Sequence, residues 1–88
     1  MQKLFTVYDA KSETYSAPSA NPSRGQAARS FGDAVNTPHS VERPNVLNQH
    51  PEDFTLFEIG EFDLRTGVIT LYDACFAVGN GLDFVEKA

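Results

Sequence analysis

Two β-rich runs separated by a short turn-forming stretch fix most of what this chain can become. Phe54–Phe62 (FTLFEIGEF) and Val68–Ala74 (VITLYDA) are dense in aromatic, β-branched and aliphatic residues, with DLRTG between them. Such a pattern reads as a β-hairpin. Asp63 can bond to nearby turn backbone, and Gly67 can take the φ > 0 position of a bulged turn. Setting Phe62 opposite Val68 places Ile59 against Leu71 and Glu58 against Tyr72. A slip of one residue would set Glu58 against Asp73, and like charges directly opposite disfavour a register. The first register is therefore expected.

A third strand is expected at Gln2–Asp9 (QKLFTVYD), with a short return at Tyr15–Ala17 ended by Pro18. Apolar groups occupy both of its faces, so alternation does not say which face is buried. Between these strands and the hairpin, Ala27, Ala28, Phe31, Ala34 and Val35 recur at helical spacing. Asn21 or Ser23 can cap that helix, Pro22 is tolerated in a first turn, and Asn36 followed by Thr37-Pro38 ends it. Gly25 and Gly32 weaken it by about 1 kcal/mol each relative to Ala, so packing must hold it. Residues 37–53 carry prolines and asparagines without a period and read as a long loop. At the end of the chain, Asn80 can cap a short helix, with Asp83 near its positive end and Leu82 and Val85 turned inward. The expected architecture is a small α+β domain over residues 1–88. It has a mainly antiparallel sheet, one packing helix and a short C-terminal helix.

A chain of 88 residues makes one core. It buries roughly 60–65% of its unfolded surface, so a homodimer interface could extend that core. Cys75 is the single cysteine, and a buried small hydrophobe is its expected role. The opening MQKLFTVYD turns polar too soon for a signal peptide, and no apolar run reaches the roughly 18–20 residues of a membrane span. A soluble cytoplasmic protein is expected. The net charge of −5 is uneven. Residues 1–50 hold five bases against four acids, and residues 51–88 hold two bases against eight acids. Overall acidity weighs against sequence-independent nucleic-acid binding, but a local basic face remains open.

Two constellations compete for a role. Arg24 and Arg29 lie on or near the helix with Ser23, Gln26 and Ser30, and Lys3, Lys11 and Tyr8 or Tyr15 can flank them. Bases beside aromatics can bind single strands through phosphate contacts and stacking. A solvated helix face is the plainer reading. The alternative uses Glu58, Glu61 and Asp63 of the hairpin to dock a basic protein surface, as an adaptor or a DNA mimic. Glu58 and Glu61 lie three apart, on opposite faces of a regular strand, which suits neither a shared metal nor a shared bond. His39 and His50 sit in the loop without a nucleophile motif, and GNG at 79–81 lacks the phosphate-loop pattern. No catalysis, metal or cofactor is expected.

KLFTVYDAKSETY, RSFGDAVN, HPEDFTLFEIGEFDLRTGVI and VGNGLDFV, in that order, resemble the small nonstructural protein of gokushoviruses. These are single-stranded DNA phages of the microvirus family. HPEDFTLFEIGEFD with its following TG is the most specific part. The resemblance implies a phage protein of the host-cell cytoplasm, absent from the virion, that binds DNA or helps switch genome replication toward single-stranded synthesis. It assigns no binding residues. It favours Lys3, Lys11, Arg24 and Arg29 as contacts to single-stranded DNA, over docking to a phage replication or host protein.

Overall fold

In the computed structural model, which describes residues 1–86, β1 (Gln2–Asp9) and β4 (Phe54–Phe62) form the middle of an antiparallel sheet. The outer edge of β1 carries two short strands in succession, β2 (Thr14–Tyr15) and β3 (Ser19–Asn21). On the far side of β4 lies β5 (Ile69–Asn80). One face of this sheet is covered by α1 (Arg24–Asn36), and the result is the expected small α+β fold.

Helix α1 forms where the small and apolar residues recur. Ser23 caps it by accepting from the Gln26 amide, and Pro22 lies just outside. Its buried stripe is Ala27, Phe31 and Val35, four residues apart, facing Phe5, Phe54 and Leu56. Its last carbonyls are satisfied by the segment that follows. Asn45 Nδ2 donates to Ala34 and Thr37 O, and Asn48 Nδ2 donates to Val35 O. His39 Nδ1 accepts from the Asn45 amide and orients this clasp. The long loop is thus a helix cap with a short helix of its own, α2 (Val46–Gln49), followed by a 3-10 turn at Pro51–Asp53.

Several local expectations are corrected. The hairpin turn is as expected, with Gly67 at φ 75° and the Asp63 carboxylate accepting from the Arg65 amide. The register is not. Phe62 pairs with Ile69 and Gly60 with Leu71, which is the slipped register. Glu58 nevertheless avoids Asp73, because it pairs with Phe76. Bulging of β5 over residues 72–75 absorbs the difference. This longer β5 takes in Cys75, which is exposed rather than buried. The early return strand is shorter than expected and is joined by β3. The terminal helix is a 3-10 turn at Gly81–Phe84, with Asn80 and Asp83 forming a reciprocal capping box. Leu82 and Val85 face solvent. Phe84 turns inward instead, its ring 5.3 Å edge-on from Phe31.

Candidate nucleic-acid interface

Along β4 the buried positions alternate: Phe54, Leu56, then Glu58. Strand geometry therefore aims the Glu58 carboxylate at the α1 side of the sheet, where it is 2% exposed. An unpaired carboxylate there would be costly, and two partners prevent that. Arg24 Nε, from the first turn of α1, donates to Oε1 at 2.7 Å, and the Tyr72 hydroxyl donates to Oε2 at 2.6 Å. Burial disfavours the charged form of Glu58, but the bonds from Arg24 and Tyr72 prevail and hold its pKa below the ordinary glutamate value. The same bond to Glu58 raises the pKa of Tyr72 and that of Arg24.

The neighbouring bulge extends this cluster. Leu4 pairs with Gly60 and Phe5 with Glu58, so Ile59 is an extra residue in β4. That insertion corrects the expectation that Glu58 and Glu61 point to opposite faces. Glu61 pairs with Lys3, whose Nζ lies 3.3 Å from Oε2, and both glutamates raise the Lys3 pKa, the Glu61 bond most. Gly60 is required at the bulge, because a Cβ there would run into the backbone of Thr70 and Leu71.

The guanidinium of Arg24 does more than close an ion pair. Its Cζ sits 3.9 Å from the centroid of the Phe76 ring, a cation–π stack at the surface. Half of the Arg24 side chain stays exposed, and Phe76 is 46% exposed. Among the described residues only Nε of Arg24 is bonded, which leaves four N–H donors on its two terminal nitrogens. Arg24 and Tyr72 thus bond the Glu58 carboxylate, Phe76 stacks on Arg24, and Lys3 adds a nearby positive charge.

Two of the four bases named from sequence, Lys3 and Arg24, come together here. Lys11 does not join them. It follows β1 at the opposite end, about 25 Å away at strand rise, beside Asp9 and Asp53. Arg29 is exposed on α1, five residues from Arg24 and so on a different side of the helix. Of the acids proposed for docking, Glu58 is buried, Glu61 is bonded to Lys3, and Asp63 closes the hairpin turn. His50, Glu52 and Asp53 bring three candidate ligand atoms within 4.8 Å of one another, on a largely exposed turn. His50 Nδ1 lies 3.6 Å from Glu52 there.

The expected register sets Tyr72 against Glu58 without marking it as a site residue, and nothing in the sequence singles out Phe76. The available signal was Glu58 itself, which falls in phase with Phe54 and Leu56 and so had to be buried with partners.

The family model described as Phage ORF5 protein matches residues 2–84, nearly the whole chain. This chain belongs to the phage ORF5 protein family. No curated protein and no solved structure matches it. The match spans every described strand and helix, including all residues around Glu58. No helix of the described residues is long and apolar enough to cross a membrane.

Proposed function

We propose that this phage ORF5 protein acts non-enzymatically in single-stranded DNA genome replication or packaging, by binding single-stranded DNA at the Arg24–Phe76 surface. The host would carry a gokushovirus-like microvirus, and the protein would work in the host-cell cytoplasm rather than in the virion. The observation that carries this reading is the half-exposed guanidinium held by Glu58 over an exposed phenyl ring. Single-strand binders pair phosphate-directed cations with aromatic platforms for bases. Glu58 fixes Arg24 through Nε alone and leaves the terminal nitrogens for a phosphate. Lys3 supplies a second cation, and Phe76 and Tyr72 supply the aromatic groups.

The acidic total keeps this site weak, because phosphates approach a chain of net charge −5. Docking of a basic protein by Glu58, Glu61 and Asp63 has less support, since each of these acids is already bonded within the chain.

The test is fluorescence anisotropy of a labelled single-stranded oligonucleotide at increasing salt. Two phosphate contacts predict a slope of about −1.4 in log K against log salt. Arg24→Ala should abolish most of the binding, whereas Arg29→Ala should leave most of it. Absence of binding by the folded protein at low salt overturns the reading.

A further inference from the structure

Among the described residues α1 covers only one face of the sheet; on the other face Leu4 is buried while Ile69 and Leu71 stay exposed. Because of the bulge at Ile59–Gly60, this face gathers Leu4, Ile59, Phe62, Ile69 and Leu71. They line a groove of about 550 Å³ with Pro18 and Ala20 of the β2–β3 edge. A second groove of about 350 Å³ continues it past Tyr15, Cys75 and the ring of Tyr72, whose hydroxyl reaches Glu58, and shares Pro18, Ile59 and Leu71. None of the residues lining either groove is charged. Leu71 is 64% exposed and Ile69 58% exposed, so β5 stands as an apolar ridge beside the grooves.

We propose that this face is a dimer interface and that its occupant is a second copy of the chain. Three features select that partner. The first is shape: a ridge lies beside a groove on one surface, so a two-fold axis lets each copy's Ile69–Leu71 ridge fill the other's groove. The second is area. Strands stand about 4.8 Å apart and residues advance about 3.3 Å, so the patch spans about 20 by 20 Å. Corrugated by its ridge and grooves, such a footprint exposes on the order of 600–800 Å², close to what each partner buries in a standard interface.

The third feature is charge. Nucleic acid needs cations, and this face has none among its lining residues. Two chains of charge −5 repel each other, and an uncharged apolar face is where they can meet with their acids kept apart. Salt screens that repulsion, so dimerisation strengthens with ionic strength. DNA binding at Arg24, on the other side of the sheet, has the opposite salt dependence. The two readings therefore fail separately.

Sedimentation equilibrium of the full chain tests the interface. The expected species is at twice the 9.7 kDa chain mass, and its population rises with salt. Leu71→Lys and Ile69→Lys should give folded monomers. Leu64→Lys, at an equally exposed position on the hairpin turn, should remain dimeric. Should the ridge variants fail to fold, alkylation of Cys75 in the unaltered chain supplies a second measure, since Cys75 lines the shared face. At a protomer concentration about 100-fold above the dimer Kd, the monomer fraction falls about tenfold, and the labelling rate falls with it. A monomer at sub-millimolar concentration, a dimer that survives Leu71→Lys, or Cys75 labelling independent of concentration would each overturn the proposal.

Discussion

Replacing Glu58 by Gln removes one charge from the interior and leaves its shape almost unchanged. In the native chain the carboxylate accepts from Arg24 and Tyr72 while 2% exposed. A hydrogen bond to a charged group contributes about 1.5–3 kcal/mol. The Arg24 side chain is half exposed and rehydrates when released, so its share falls to about 1 kcal/mol or less. The amide oxygen of Gln can still accept from Tyr72 or from Arg24, but its NH₂ then faces the other donor. The net loss is about 2 kcal/mol. For a domain of this size that lowers Tm by about 8–16 °C.

The pH dependence separates charge from packing. The folded pKa of Glu58 lies below its ordinary 4.5, so on acidification the unfolded chain takes up the proton first. Its stabilising contribution is therefore complete above about pH 4.5 and is lost as pH falls through the folded pKa. Urea unfolding of the native chain and of Glu58→Gln, at pH values from 7 down to 3, should show two curves that converge on acidification. Asp9 and Asp63 also have lowered pKa values, but they titrate in both proteins and cancel in the difference. A Gln variant within about 0.5 kcal/mol of the native chain at pH 7, with the same acid slope, would refute the argument.

Other outcomes follow from the same geometry. Tyr72→Phe leaves one Glu58 oxygen without its partner and should cost about 1–2 kcal/mol, read from urea midpoints. Gly60→Ala drives a Cβ against the Thr70 and Leu71 backbone and should cost about 1–3 kcal/mol by the same measurement, with altered amide shifts along β4 and β5. Asn36→Ala removes the bonds that tie the chain end to α1, through Phe84 O and the Glu86 amide. Amide exchange should then quicken over residues 81–86 more than in the sheet.

Much of the helix was legible because its causes are local. The spacing of Ala27, Phe31 and Val35, the Ser23 cap and the stop at Asn36 all lie within one short stretch. The turn of the hairpin was legible for the same reason, through Asp63 and Gly67. Its register was not. The like-charge rule judged Glu58 against Asp73 on straight strands, whereas both strands bulge and carry Glu58 to Phe76. The same bulges reversed the reading of Glu58 and Glu61 as residues of opposite faces.

The candidate site was half legible. Arg24 and Lys3 stood out as bases, but their acids lie 34 and 58 residues away, and only the fold brings them together. Phe76 lies beyond the expected Val68–Ala74 strand, because β5 continues through residues that the turn pattern could not reach. Asn45 and Asn48 had no visible role, since their partners are the carbonyls at the end of α1. Interactions set by tertiary contact leave little trace in a single sequence.

In the proposed reading Glu58 presents Arg24, beside Lys3 and Phe76, to a single strand of DNA. An NMR titration that follows the Arg24 Nε–H and the backbone amides reports on it directly. A single-stranded oligonucleotide should shift the Arg24 Nε–H and the amides of Lys3, Tyr72 and Phe76, while Ile69 and Leu71 stay in place. Shifts confined to the Ile69–Leu71 face, or a spectrum unchanged by saturating DNA at low salt, would contradict the reading.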